Sequence, residues 1–162
     1  MAETAYLHGL RQLARRELSE AQLRQRLSRR DFTDDEIEAA LARLRQDGSL
    51  DDARVAGAIA RSQLTLKRRG RLRVRREIEA AGIAPALAER ALDEAYADVD
   101  VDALLAAAID RRLGTGGAAD RAANSLDDER VVARLFRYLV AQGFEHDRAL
   151  AALRARRRTS KS

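Results

Sequence analysis

The densest group of chemically active side chains is a run of basic residues between positions 67 and 76, here termed the basic segment. Its seven positive charges, set against the two carboxylates Glu77 and Glu79, leave a surplus of five, equal to the net charge of the whole chain, +5. Guanidinium groups form paired hydrogen bonds with both phosphates and carboxylates. The segment therefore predicts a contact with nucleic acid or an acidic protein surface, although a solvated helix face without a partner would have the same composition. Its basic residues are Lys67, Arg68, Arg69, Arg71, Arg73, Arg75 and Arg76.

The helical period predicts how this segment is oriented. Val74 and Ile78 are four residues apart and should face a core, so the arginines around them should project outward. Two outward rows are expected, one with Arg71 and Arg75, the other with Arg69, Arg73 and Arg76.

Two further groups of cations are less specific. The first, between residues 15 and 30, is interrupted by Glu17 and Glu20. Its candidates for partner or DNA contact are Arg15, Arg16 and Arg24. The second is the tail at 154–161, which contains no acid and which we expect to fray after Leu153. This tail either adds nonspecific attraction to DNA or is inert.

Patterns that would support catalysis or metal binding do not occur. The glycine-rich stretch at 114–117 is not followed by the lysine and hydroxyl residue of a phosphate-binding loop. His8 and His146 are far apart, and neither has a second histidine at metal-ligand spacing. The carboxylates at 93–102 fit helix caps, and the absence of cysteine removes thiolate catalysis, cysteine zinc sites and disulfides. We expect a protein that is not an enzyme and uses no cofactor or metal.

The composition predicts a soluble globular protein. Hydrophobic residues make up 46% of the chain and charged residues 35%, which is too apolar for wholesale disorder and too charged for a membrane protein. No apolar run approaches the roughly 18 to 20 residues of a membrane span, and residues 1–4 lack the basic and apolar regions of a signal peptide. The expected location is the cytoplasm.

The elements that must position these side chains are helices. Apolar residues recur at spacings of three and four along nearly the whole chain, without the alternation typical of strands. Capping-box patterns at 19–22 and 33–36 mark two helix starts, and Asp51 or Ser49 marks a third. Gly48, Gly82 and Gly143 mark helix ends, and Pro85, the single proline, falls near a first turn. The sequence predicts an all-α protein of nine helices.

The apolar residues of these helices repeat in register. Alignment on the anchors Phe32, Ile83 and Phe144 places apolar residues nine and five positions before each anchor and nine positions after it. The residues nine positions before the anchors are Leu23, Val74 and Leu135, and those five positions before are Leu27, Ile78 and Leu139. The residues nine positions after the anchors are Leu41, Leu92 and Leu153. The anchors Ile83 and Phe144 are 61 residues apart, ten more than the 51 that separate Phe32 from Ile83. The Gly/Ala loop at 114–124 accommodates the ten additional residues.

This register predicts three tandem three-helix repeats, at residues 1–48, 49–98 and 99–157, followed by a basic tail at 158–162. A unit of roughly 50 residues is too small for a generous core of its own. Neighbouring repeats should therefore stack, which would give an elongated, curved molecule.

The order and spacing of several segments resemble the RecX family of bacterial regulators. Residues 10–23, with the apolar residues that follow up to Leu44, resemble the family's first repeat. Residues 48–56 and 60–62 are similar to the start of its second repeat, and residues 69–83 to its basic helix and the glycine that ends it. The resemblance covers residues 5 to 155. The chain departs from the family's pattern at Asp31, where glycine is usual, at Val55, where phenylalanine is common, and at Leu72 and Val74, which replace a stretch that often holds an aromatic residue and a proline.

The resemblance implies a regulator of RecA in DNA repair, homologous recombination and the SOS response. Such a protein binds RecA and lodges in the groove of its DNA filament, or blocks filament growth, which reduces recombinase, ATPase and co-protease activities. It would act as a monomer, without a cofactor, and with room for weak direct DNA binding. We expect the basic segment to be its main electrostatic contact. Two other classes stay open: a helix-turn-helix-like DNA-binding protein that acts without RecA, and a helical adaptor of another pathway.

Overall fold

The computed structural model describes residues 4–114 and 126–159, and in these ranges it contains nine α-helices and no strand. The helices are α1 (Ala5–Arg15), α2 (Glu20–Leu27), α3 (Asp34–Gln46), α4 (Asp52–Thr65), α5 (Arg71–Ala80), α6 (Pro85–Tyr96), α7 (Val101–Gly114), α8 (Glu129–Ala141) and α9 (His146–Thr159). The all-α prediction is confirmed. None of the described helices has both the length and the apolarity that a membrane span requires. The predicted Gly/Ala loop beyond Gly114 and the end of the basic tail, residues 160–162, lie outside the described residues.

The predicted helix starts are confirmed by their side-chain caps. Ser19 Oγ accepts from the backbone N–H of Gln22 at 3.2 Å, and the Gln22 side chain accepts from the N–H of Ser19, also at 3.2 Å. Thr33 and Glu36 form the same reciprocal pair at the start of α3. The Thr33 N–H, 2.7 Å from Glu36 Oε2, holds the pKa of the Glu36 carboxyl below its ordinary value. Asp51 caps α4, since its Oδ1 accepts from a first-turn N–H at 3.0 Å.

The predicted helix ends are confirmed as well. Gly48, Gly82 and Gly143 have φ angles of 74°, 78° and 94°, the left-handed conformation that ends a helix at low cost for glycine. Pro85 is the first residue of α6, where its missing N–H costs little.

One prediction about a helix end is wrong. The chain does not fray after Leu153, because α9 continues to Thr159. Two ion pairs join the extra turns to α7 and α8: Arg156 bonds to Asp110 at 2.6 Å, and Arg157 bonds to Glu129 at 2.7 Å.

The predicted register of apolar residues is confirmed by burial. All nine register positions are at most 2% exposed, and the anchors Ile83 and Phe144 are buried, whereas Phe32 is partly buried. The nine positions are Leu23, Leu27, Leu41, Val74, Ile78, Leu92, Leu135, Leu139 and Leu153. Spacing along the sequence thus identified the residues that pack inside.

Packing divides the chain into two compact units. Unit 1 comprises Met1–Arg61 and Arg75–Glu94, and unit 2 comprises Ser62–Val74 and Ala95–Ser162. The core of unit 1 contains Leu23, Leu27 and Leu41, and the core of unit 2 contains Leu135, Leu139 and Leu153. These units follow contacts in space, whereas the repeats follow the sequence, so the three repeat boundaries stay a prediction.

Each unit contains a junction between the second helices of two successive repeats. In unit 1, the hydroxyl of Ser19 at the start of α2 donates to the carbonyl of Ala81 at the end of α5. In unit 2, the N–H of Gly70 at the start of α5 donates to the carbonyl of Gln142 at the end of α8, at 2.9 Å. Ser19 and Gly70 lie at the same register position, thirteen residues before their anchors. The repeat pattern therefore extends from apolar residues to polar contacts.

Candidate interaction surface at the basic segment

The basic segment spans a turn and the helix after it. Helix α4 ends at Thr65 and α5 begins at Arg71, so three of the seven basic residues lie in the intervening turn and four on α5. Val74 and Ile78 are fully buried, as predicted. Of the five arginines predicted to project outward in two rows, Arg76 is exposed as predicted, and the other four are only partly exposed. These four are Arg69, Arg71, Arg73 and Arg75.

The turn has an uncommon backbone conformation. Arg68 has a φ of 49° and is the non-glycine residue with positive φ in the described ranges. Its N–H donates to the carbonyl of Leu64 at 3.0 Å, and the N–H of Arg69 donates to that of Gln63 at 3.3 Å. These bonds fold the chain back over the end of α4 and leave Leu66 on the surface, 79% exposed.

The C-terminal end of the turn, at Arg69 and Gly70, is hydrogen-bonded to the rest of unit 2. The Tyr96 hydroxyl donates to the Arg69 carbonyl at 2.6 Å, and burial raises the pKa of Tyr96 to about 12. A Cβ on Gly70 would overlap the backbone of Gly143, so this approach requires glycine. The N–H of Leu72 donates to the Gly143 carbonyl at 3.1 Å.

Two arginines of the segment make contacts within the protein. Arg73 Nη1 donates to the carbonyl of Ala141 at 2.9 Å, at the C-terminal end of α8, where a helix carries partial negative charge. Arg75 lies 2.9 Å from a carboxylate oxygen of Glu79 and 3.1 Å from one of Glu89. These side chains have an evident structural role.

Three other cations of the segment face solvent. Lys67, Arg68 and Arg76 are exposed, and within the described ranges no hydrogen bond or ion pair engages their side chains. Arg71 is partly buried and lines a cavity of about 260 Å³ with Tyr96 and Phe144. The structure thus divides the basic segment into cations that bind other groups of this protein and exposed cations that a partner molecule could reach.

The second predicted cluster is divided in the same way. Arg24 lies 3.1 Å from a carboxylate oxygen of Glu20 and 2.9 Å from one of Glu38, and the bond to Glu38 is the main cause of its raised pKa. Arg15 and Arg16, at the end of α1, are exposed. Binding by these three residues stays a prediction.

Sequence reasoning missed two residues of this surface. Leu66 lies just past the last turn of α4, where helical spacing gives no indication of burial or exposure. Tyr96 is the last residue of α6 and belongs to none of the motifs identified in the sequence. Only the folded chain brings its hydroxyl to a carbonyl 27 residues earlier.

The histidines have packing environments. The His8 ring lies 6.0 Å from that of Phe32, and the His146 ring 5.7 Å from that of Phe136, measured between centroids. Over residues 4–114 and 126–159, no group of three or more histidine, aspartate or glutamate side chains is arranged to hold a metal ion.

Known proteins share this helical pattern in sequence. Two family models match the chain: RecX, first three-helix domain, over residues 5–44, and RecX, second three-helix domain, over residues 51–92. The Regulatory protein RecX of Halorhodospira halophila is 33% identical over 147 residues, which cover 91% of this chain and 84% of that protein. The chain belongs to the RecX family. The family predicted from the sequence is therefore confirmed.

Other RecX proteins extend this relationship. The Regulatory protein RecX of Chromohalobacter salexigens is 30% identical over 145 residues, which cover 90% of this chain and 88% of that protein. The crystal structure of RecX from Lactobacillus salivarius superposes with a TM-score of 0.69 at 17% identity, over 93% of both chains. A second crystal structure of regulatory protein RecX has a TM-score of 0.71 at 20% identity, over 89% of this chain and 67% of that one. These structures establish a RecX fold, and the second RecX domain, at 51–92, includes the whole basic segment.

Proposed function

We propose that this RecX-family protein binds RecA and the RecA–DNA filament and inhibits the recombinase, ATPase and co-protease activities. The observation that carries the proposal is the match over 91% of the chain to a protein named Regulatory protein RecX. RecA is the partner that the RecX resemblance implies. The proposal includes a monomer that acts in the cytoplasm without catalytic chemistry of its own.

The charge distribution supports a partner of negative potential. Lys67, Arg68 and Arg76 extend into solvent, and exposed cations of this kind raise association rates with an acidic partner. A filament offers many identical protomers, so contacts from several helices can add to one another where the geometry allows. Weak direct binding to DNA is expected from the same cations.

The first test is DNA-dependent ATP hydrolysis by RecA on single-stranded DNA, with this protein added at ratios well below one per protomer. We expect hydrolysis to fall at these ratios, because a bound regulator that stops growth or promotes disassembly affects many protomers. Undiminished hydrolysis with the protein in excess over competent RecA would exclude the proposed function.

Sequestration of DNA must be separated from an action on RecA. A DNA-stimulated ATPase unrelated to RecA, assayed on the same single-stranded DNA, is the control. If both ATPases fall together, and the effect disappears steeply as salt rises, the protein acts as a DNA-binding protein. If only RecA responds, the filament is the target.

Variants of the basic segment show whether its exposed cations contribute. Lys67→Glu combined with Arg76→Glu should weaken inhibition about tenfold without changing helicity, since neither side chain has a partner within the described ranges. Arg90→Glu, on the exposed face of α6, is the matched control. Arg73 and Arg75 are unsuitable for this test, because reversing them would also remove contacts within the protein.

A further inference from the structure

We propose that the turn between α4 and α5, residues 66–69, is a docking contact for an acidic protein surface that contains an apolar pocket. The inference rests on the proposed function, and it specifies that the turn contacts the RecA protein and not the DNA within the filament. The contact consists of Leu66 as an apolar anchor, with Lys67 and Arg68 as its cationic rim. All of these residues belong to unit 2.

Leu66 is the most exposed large hydrophobic side chain in the described ranges. It is 79% exposed, against 50% for Leu7, the other exposed side chain of this kind there. Single surface leucines are common and need no explanation by themselves. Leu66 differs because it is followed directly by two exposed cations, Lys67 and Arg68, at the tip of a turn. An apolar centre with a polar, charged rim is the usual composition of a protein contact.

Arg68 occupies a conformation that glycine would adopt more easily. Gly48, Gly82 and Gly143 have positive φ at the ends of other helices, and Arg68, with a φ of 49°, has it after α4. A side chain in this region is strained, and strain at a surface turn points to a role for that side chain. Arg68 is exposed, and in the described ranges its side chain has no hydrogen bond or ion pair, so no polar contact there accounts for the arginine.

The turn is also held rigidly for binding. Three hydrogen bonds join its backbone to carbonyls of α4, and two more join the turn and the adjacent Gly70 to other parts of unit 2. The latter two join Tyr96 Oη to the Arg69 carbonyl at 2.6 Å and the Gly70 N–H to the Gln142 carbonyl at 2.9 Å. A contact that is already ordered loses little conformational entropy when it binds.

Leu66 favours protein over nucleic acid as the partner. Phosphates would attract Lys67 and Arg68 but would leave the leucine in water, and placing it between bases requires their unstacking. An apolar pocket on a protein buries the leucine directly. Carboxylates around such a pocket would pair with the two cations.

The test measures binding of the full chain to RecA filaments assembled on single-stranded DNA with a non-hydrolysable ATP analogue, and to the same DNA alone. Leu66→Ala should weaken filament binding about tenfold with little change on bare DNA. Arg68→Gly should weaken filament binding several-fold, and by more than it weakens the slight DNA binding that its charge contributes. Arg68→Gly should keep or raise the melting temperature, by up to about 4 °C, because glycine relieves the left-handed strain. A variant that is more stable and yet binds less well would separate contact from folding.

Leu7→Ala is the matched control for the loss of an exposed leucine and should bind as the parent protein does. Filament binding by Leu66→Ala and Arg68→Gly equal to that of the parent would overturn this inference and leave the proposed function standing. An equal loss on bare DNA would overturn it in favour of nucleic acid. A parent protein that neither binds nor inhibits RecA would overturn the inference together with the proposed function.

Discussion

At the residue scale, Tyr96 shows how one buried side chain positions an exposed site. It is the last residue of α6, and its hydroxyl reaches the carbonyl of Arg69 in the turn that bears Lys67 and Arg68. Burial disfavours the ionised phenolate, which raises the pKa of Tyr96 to about 12, with Arg71 acting in the opposite direction. The neutral phenol therefore keeps its donor proton over the whole physiological range.

Replacement of this hydroxyl should have a pH signature. A tyrosine in the unfolded chain ionises near pH 10, whereas Tyr96 in the folded chain ionises near 12. Its contribution to stability is thus complete below about pH 10 and is lost as the pH rises towards 12. Tyr96→Phe should be about 1 kcal/mol less stable at pH 8 and should lose less stability between pH 10 and 12. Urea unfolding of both proteins at pH 8 and pH 11 tests this, and parallel pH profiles would contradict it.

At the element scale, two helix caps of the same sequence type have different surroundings. Ser19 and Thr33 each form a capping box. The Thr33 side chain is exposed, while Ser19 is fully buried and also donates to the carbonyl of Ala81. The local pattern specifies the helix start in both cases, and the second bond of Ser19 comes from the repeat junction.

Removal of the two caps should therefore differ in cost. Ser19→Ala should lower the free energy of unfolding by about 2 kcal/mol, because a helix cap is lost and the buried Ala81 carbonyl loses a donor. Thr33→Ala should cost about 1 kcal/mol, the usual effect of losing an exposed cap. Chemical denaturation of the two variants gives the comparison, and equal losses would mean that the junction bond adds nothing.

At the scale of the whole molecule, one structural pattern occurs in both compact units. The start of α2 lies against the end of α5 in unit 1, and the start of α5 lies against the end of α8 in unit 2. Each junction includes a helix-ending glycine with positive φ, Gly82 in unit 1 and Gly143 in unit 2. Each glycine is also crowded, because a Cβ on Gly82 would overlap Ala21, and one on Gly143 would overlap Arg73.

Substitution of these two glycines should loosen one unit at a time. Gly143→Ala should raise amide hydrogen exchange about tenfold or more in residues 62–74, 95–114 and 126–159 while leaving residues 4–61 and 75–94 unchanged. Gly82→Ala, the matched variant, should raise exchange in residues 4–61 and 75–94. Mass-spectrometric hydrogen exchange measures both patterns. Exchange that rises uniformly along the chain in either variant would show that the two units open together.

Much of this architecture was predictable from local sequence. Helix starts at Ser19 and Thr33, helix ends at Gly48 and Gly82, and the nine buried register positions followed from capping patterns and apolar spacing. The RecX family could also be identified from short segments in order. These features depend on residues within a few turns of one another, so the sequence determines them without knowledge of the tertiary structure.

The tertiary structure decided how the individual cations are used. Arg73 bonds to a carbonyl 68 residues away, and Arg156, in the part of α9 beyond its predicted end, pairs with an aspartate 46 residues away. The exposure of Leu66 and the strained backbone of Arg68 likewise appear only in the folded chain. The physical reason is that arginines along one run have the same chemistry and differ only in which distant carbonyl or carboxylate lies within reach, and the packing of separate helices sets that distance.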